Sequence, residues 1–179
     1  MSVRIILLCE DQQLLCFLSR FLKRRGWGSR DIHGMNAPPG VGSAEQWVRE
    51  TYPGILQALR SKGSSVVLLV GTDADTLSVV DRIAILDQAC RNKNIPSRLA
   101  QDPVIMVVPK RNIETWLAYL RGESVNEVDN YPRYRGESDC RKDVKALDDM
   151  CRKQQLRQPA PPSLQATCGE YRKMPARLK

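Results

Sequence analysis

Short apolar runs divide the chain, and each is followed by residues whose apolar positions recur at helical spacing. Residues 3–9 (VRIILLC) have the length and β-branched character of a strand buried on both faces of a parallel sheet. The run ends at Glu10 and Asp11. From Gln12 to Arg25, Leu14, Leu15, Phe17, Leu18, Phe21 and Leu22 follow an i, i+3, i+4, i+7 pattern, with Arg20, Lys23 and Arg24 on the other side. This predicts an amphipathic helix stopped by Gly26. Residues 26–42 hold five glycines, Pro38 and Pro39 and read as irregular. Ser43 with Gln46 three residues on is a capping-box signature for a helix carrying Trp47, Val48, Ile55, Leu56 and Leu59, which Pro53 should kink or split.

The second apolar run, SVVLLVG at 65–71, is again strand-sized and leads into Thr72-Asp73-Ala74-Asp75. A helix is expected from about residue 76 to 91, with Val79, Ile83, Leu86 and Cys90 on one face. A third strand at 104–108 passes through Pro109-Lys110-Arg111-Asn112 into the helix IETWLAYLRG. Residues 122–137 read as a polar loop, 139–153 as a weaker helix, PAPPSL as a stiff connector and 164–172 as a last short helix. Strands alternating with helices predict an α/β three-layer sandwich around a central, mostly parallel sheet with right-handed crossovers. Residues 1–121 would form its core and 122–179 a loop and helical extension packed on the same domain.

Composition narrows the chemistry. No apolar run approaches the ~20 residues that cross a bilayer. The opening MSVRIILLCED lacks a small-residue cleavage site and meets a charged pair, so a cytoplasmic protein is expected. Six cysteines include no CxxC pair and read as reduced core thiols. A single histidine, His33, placed by pattern in a loop, leaves little for a zinc site or a Ser-His-Asp triad. The net charge of +8 and a pI near 9.4 point to a polyanionic partner. That excess lies in residues 1–63 and 111–179; residues 64–110 are neutral and keep five aspartates.

In open parallel sheets, ligands bind beyond the carboxyl ends of the strands. Glu10 and Asp11 follow the first strand, Asp73 and Asp75 the second, and Glu114 lies just beyond the third. Taken singly, Asp75 reads as a helix cap and Glu114 as an acid complementing a helix dipole. Gathered at one edge, they would repel one another unless a cation lay between them, and oxygen ligands select magnesium or manganese over zinc. Beside Lys110, Arg111 and the basic residues Arg20, Lys23 and Arg24, such a site suits phosphodiester chemistry. The basic residues of the first helix also fit a solvated face, and Trp47 and Trp116 read as core.

The glutamate closing the first strand (LLCED), the aspartate pair after a later one (LLVGTDAD) and an acid beyond the next resemble the Toprim domain of topoisomerases, primases and OLD-type nucleases. The segment VVPKRNIETWLAYL resembles the third acidic motif of Toprim-like proteins in bacterial phage defence. The resemblance covers roughly residues 3–121. It implies Glu10 as general acid or base and metal ligand, Asp73, Asp75 and Glu114 as further ligands of Mg2+ or Mn2+, and Lys110 or Arg111 at the scissile phosphate. It implies a nuclease or nuclease subunit acting on nucleic acid, DNA before RNA, in antiviral defence. No Walker-type phosphate loop is present, so an ATPase would be a separate chain. An exposed sheet edge would favour a homodimer or another subunit. Two other readings stay open: a receiver-like phosphoacceptor using Glu10, Asp11, Asp73 and Lys110, and a non-catalytic subunit binding nucleic acid or protein in a defence complex.

Overall fold

The computed structural model of the chain describes residues 3–62, 65–133 and 137–172. Among these, four parallel strands form one sheet in the order β2-β1-β3-β4: β1 (Arg4–Cys9), β2 (Ile32–Asn36), β3 (Val66–Gly71) and β4 (Val104–Val107). Helices α1 (Gln12–Arg24), α2 (Ala44–Lys62), α3 (Val79–Asn92), α4 (Ile113–Leu120), α5 (Arg141–Arg152) and α6 (Pro162–Arg172) cover its two faces. The expected three-layer α/β sandwich is found, with every strand pair parallel. No helix among the described residues is long and apolar enough to cross a membrane.

The two-residue period of the strands sorts the core. β1 sends Ile5, Leu7 and Cys9 to one face and Leu8 to the other; β3 sends Val67 and Leu69 one way and Leu68 and Val70 the other. The first face is covered by Phe17 and Leu22 of α1, Trp116 of α4, Leu147 of α5 and Leu164 of α6. The second is covered by Val48, Tyr52 and Leu56 of α2 with Leu86 of α3. Each fully buried aliphatic side chain contributes about 1.5–3 kcal/mol. The helices beyond residue 121 therefore share the core of the sheet, as Trp116 shows: it is buried, and its Nε1 donates to Ser163 Oγ at 2.8 Å.

Several sequence expectations are corrected. Part of the irregular 26–42 segment is β2, an edge strand beside β1, and His33 lies in it rather than in a loop. Pro53 does not split α2, which runs as one element from Ala44 to Lys62; Val48, Tyr52, Leu56 and Leu59 hold both halves on the sheet. α3 begins at Val79, three residues later than expected, because Ser78 caps it by accepting from Asp81 N. α6 begins at Pro162, inside the supposed connector, where proline suits a first helical turn. Residues 134–136 of the 122–137 loop, and residues 173–179, lie outside the described residues. The six cysteines are free thiols.

Gly71 ends β3 where α1 begins its return over the sheet. A Cβ there would stand 2.8 Å from Leu14 Cδ2, 3.1 Å from Leu14 Cγ and 3.2 Å from Cys9 Sγ. Leu14 is itself packed in the core and has no room to withdraw. Gly71→Ala is expected to lower the free energy of urea unfolding by about 1–3 kcal/mol; an unchanged midpoint would mean that the start of α1 moves freely.

Candidate functional site

The sheet order places a topological switch point between β1 and β3. From β1 the chain crosses to β2 on one side, then returns over β1 to β3 on the other, so the loops after β1 and β3 part and leave a crevice at the carboxyl edge. Cys9 pairs with Gly71 in register, and Glu10 N donates to Gly71 O at 2.9 Å. The residues that follow the two strands are thereby side by side. Glu10 Oε2 accepts from Thr72 Oγ1 at 2.7 Å and from the backbone N–H of Asp73 at 3.1 Å. The next turn of chain is held in turn to the loop after β4, Thr72 N donating to Val107 O and Ala74 N to Pro109 O.

Asp73 is the centre of this arrangement. Its Oδ1 is buried and has no hydrogen-bond partner among the described residues. Burial, followed by the charges of Glu10, Asp11, Glu114 and Asp75, pushes its carboxyl up to about 9. Burial also lifts Glu10 above its ordinary value, against the hydrogen bonds from Thr72 and Asp73. Burial lifts Glu114, against the pull of Arg133. Acids from β1, β3 and α4 therefore sense one another across the crevice. All donors are carboxylate oxygens, and an orphaned buried oxygen among them suits a hard divalent cation. Among the described residues, however, no three His, Cys, Asp or Glu side chains are already grouped as a metal site. Binding a cation there requires side chains to rotate inward.

The other expected site residues are placed differently. Asp75, 59% exposed at its side chain and with φ +55, pairs at 3.0 Å with Arg82, which also pairs at 2.9 Å with Glu45 of α2. It thus ties the β3 loop to two helices while adding its charge to the crevice. Lys110 donates to the carbonyls of Thr76 and Leu77, fastening the loop after β4 to that after β3. Arg111 Nε donates to Asn130 Oδ1 at 2.9 Å. Lys23 and Arg24 stand about 15 Å or more along α1 from its start at the acidic edge. They lie towards the opposite edge, and Arg24 there pairs with buried Asp148 at 2.9 Å, beside Arg25 and Arg152. Arg20 Nε is bonded to Cys16 Sγ at 3.3 Å, one helical turn back. The basic residues of α1 are accordingly not gathered at the acids.

The site also takes in Asp11, expected at this edge from its place after the first strand, and Arg133, which no sequence pattern singles out. Asp11 caps α1 by accepting from Leu14 N at 2.8 Å and stands 3.5 Å from Arg133. Arg133 also lies 3.8 Å from Glu114 and donates to Gln13 Oε1 at 3.3 Å. A basic residue from the long loop after α4 therefore sits across the acids of β1 and α4. Asp11 is legible from its position directly after the first strand, where it also caps α1. Nothing local to Arg133 signals its placement.

The fold and site define a doubly wound parallel α/β domain with an acid-lined crevice at its switch point. The chain matches no protein-family model, no curated protein and no solved structure.

The raised Asp73 carboxyl sets a pH dependence. An aspartate ionises near 3.9 in an unfolded chain, so across the interval from about 4 to about 9 the native state binds this proton more tightly. Without added cation, stability should fall as pH rises through that window. Asp73→Asn should lose that part of the slope and gain most over the wild type near pH 8, read from urea midpoints at pH 5 to 8. Parallel profiles for the two proteins would rule out the buried proton.

Proposed function

We propose that this chain is a Toprim-like, metal-dependent nuclease or nuclease subunit cleaving phosphodiester bonds in nucleic acid, DNA before RNA, in bacterial antiviral defence. The observation that carries the reading is the convergence of Glu10, Asp11, Asp73 and Glu114 at the switch point around the buried, unpaired Oδ1 of Asp73. Glu10, Asp73 and Glu114 would hold Mg2+ or Mn2+, with Asp75 adding negative charge from the loop. When bound, the cation would activate water and polarise a phosphoryl oxygen. Glu10, fixed through Oε2 by Thr72 and Asp73 and shifted upward by burial, keeps Oε1 for proton transfer. Arg111 and Arg133, exposed or half-buried at the rim, would hold phosphates of the nucleic acid. An ATPase or another defence-system subunit acting with it would be a separate chain.

Lys110 weighs against the receiver-like alternative, because its ammonium is engaged by backbone carbonyls of the β3 loop rather than by Asp73. The test is incubation with plasmid DNA, single-stranded DNA and structured RNA in magnesium, manganese or chelator. Metal-dependent cleavage is expected, and Asp73→Ala or Glu10→Gln should reduce it by about 10²-fold or more. Full activity in both variants would sink the assignment, and nucleic-acid binding with no cleavage under any metal would leave the non-catalytic subunit. Arg111→Ala should instead weaken binding and lower the slope of log affinity against log salt by about one.

A further inference from the structure

A second concavity lies at the opposite edge of the sheet. It is a groove of about 710 Å³ on the α2 side, at the amino ends of β1, β2 and β3. Its floor is Ile6 of β1 and His33 of β2, which are partners in the ladder, and its wall is Ile55 and Leu59 of α2. It exists because α2, returning from β2 to β3, packs on β3 and β1 and leaves His33 of the edge strand exposed on this face.

Three observations bear on what this groove could hold. Its volume falls in the range of small-molecule pockets, about 300–1,000 Å³, and its floor and wall are mainly apolar. Two exposed arginines, Arg4 and Arg30, line it together with His33 against a single lining acid, Asp31, and no described acid forms a salt bridge with either guanidinium. Gly54 also lines it, from the interior of α2, where glycine is less favourable than alanine. Nothing lies within 4 Å of the position its Cβ would take. Among the described residues no contact demands a glycine there, and its lack of a side chain leaves open space beside Ile55.

We propose that this groove binds a small amphipathic anion: an aryl or alkyl body seated on Ile6, Ile55 and Leu59, with a carboxylate, sulfonate or phosphate held by Arg4 and Arg30. Apolar surface supplies burial and the unpaired guanidinium groups supply charge-assisted hydrogen bonds. The site is independent of the acids at the other edge and does not rest on the nuclease reading.

Anilinonaphthalene sulfonate has this chemistry, and its fluorescence rises on leaving water. Titrated against the full chain, it should bind one-to-one, while phenylnaphthylamine, which shares the rings and lacks the sulfonate, should bind about tenfold or more weakly. Decanoate should displace the dye and decanol should not. Arg4→Glu combined with Arg30→Glu should abolish binding, as should Gly54→Trp, which fills open space on an exposed helix position. Circular dichroism and thermal melting establish that each variant is folded, and the two arginines lie on the surface, so the charge variant keeps the test decisive if the tryptophan disturbs α2. Asp73→Asn, at the far edge, should leave dye binding unchanged. Dye binding that survives in the folded charge variant or in folded Gly54→Trp, or equal affinity for the uncharged analogue, would overturn the proposal.

Discussion

With Cys9 opposite Gly71, the residues that follow two neighbouring strands are forced together, and those residues are Glu10, Thr72 and Asp73. Two carboxyl groups at the mouth of a parallel sheet would repel each other and lose hydration. The hydroxyl of Thr72 and the backbone N–H of Asp73 compensate one of them by donating to Glu10. Among the described residues Asp73 receives no such compensation at Oδ1, and burial with the surrounding charges pushes its carboxyl up to about 9. The repulsion is managed by a proton rather than by distance, and a cation entering this crevice would have to release that proton. Everything inferred about this edge follows from that one unrelieved oxygen. The close approach of Leu14 to Gly71, and of the β3 and β4 loops to each other, fixes where it stands.

The positive charge of the chain is divided between two uses. Much of it is structural: Arg24, Arg25 and Arg152 surround Asp148, which is fully buried, and Arg121 pairs with buried Asp143. Burial would raise the Asp148 carboxyl, yet the hydrogen bonds and charge of Arg152 and Arg25 hold it below its ordinary value. That cluster draws the end of α1 and α5 together and commits Arg24 and Arg25 to it. Of the rest, Arg133 stands across Asp11 and Glu114 at the carboxyl edge, and Arg4 and Arg30 line the groove at the amino edge. A net charge of +8 therefore says less about partners than its distribution does.

β1, β3 and β4 were legible because strands buried on both faces are apolar nearly throughout, as RIILLC, VVLLVG and VIMV are. β2 was not, since an edge strand needs only one partner. Its sequence Ile-His-Gly-Met-Asn is half exposed, and Gly34 has its own reason, a Cβ there meeting Leu15 Cδ1 at 2.7 Å. Pro53 misled for a different cause: a proline weakens one helical turn locally, while the sheet beneath anchors the residues on either side of it. In the crevice, Glu10 and Asp73 could be read from position alone, because a parallel sheet brings its carboxyl ends to one edge. Asp75 and Lys110 could not be resolved from the crevice they border, since their partners are Arg82 and backbone carbonyls. Arg133 comes from 120 residues beyond Gln13, its hydrogen-bond partner, and no local pattern encodes a contact of that span.

One feature of topology underlies both edges. Because β2 and β3 flank β1 on opposite sides, the connection between them must cross over β1, and it crosses as α2. At the carboxyl edge this reversal parts the loops and opens the crevice that the acids line. At the amino edge the same helix, seated over β1 and β3, leaves Ile6 half-buried and His33 exposed and makes the wall of the groove. A sheet ordered simply along the chain would carry its crossover helices on one face and possess neither feature. The two sites therefore differ in charge and chemistry for reasons of sequence, but they stand at opposite ends of the same strands because of a single change of direction in the chain.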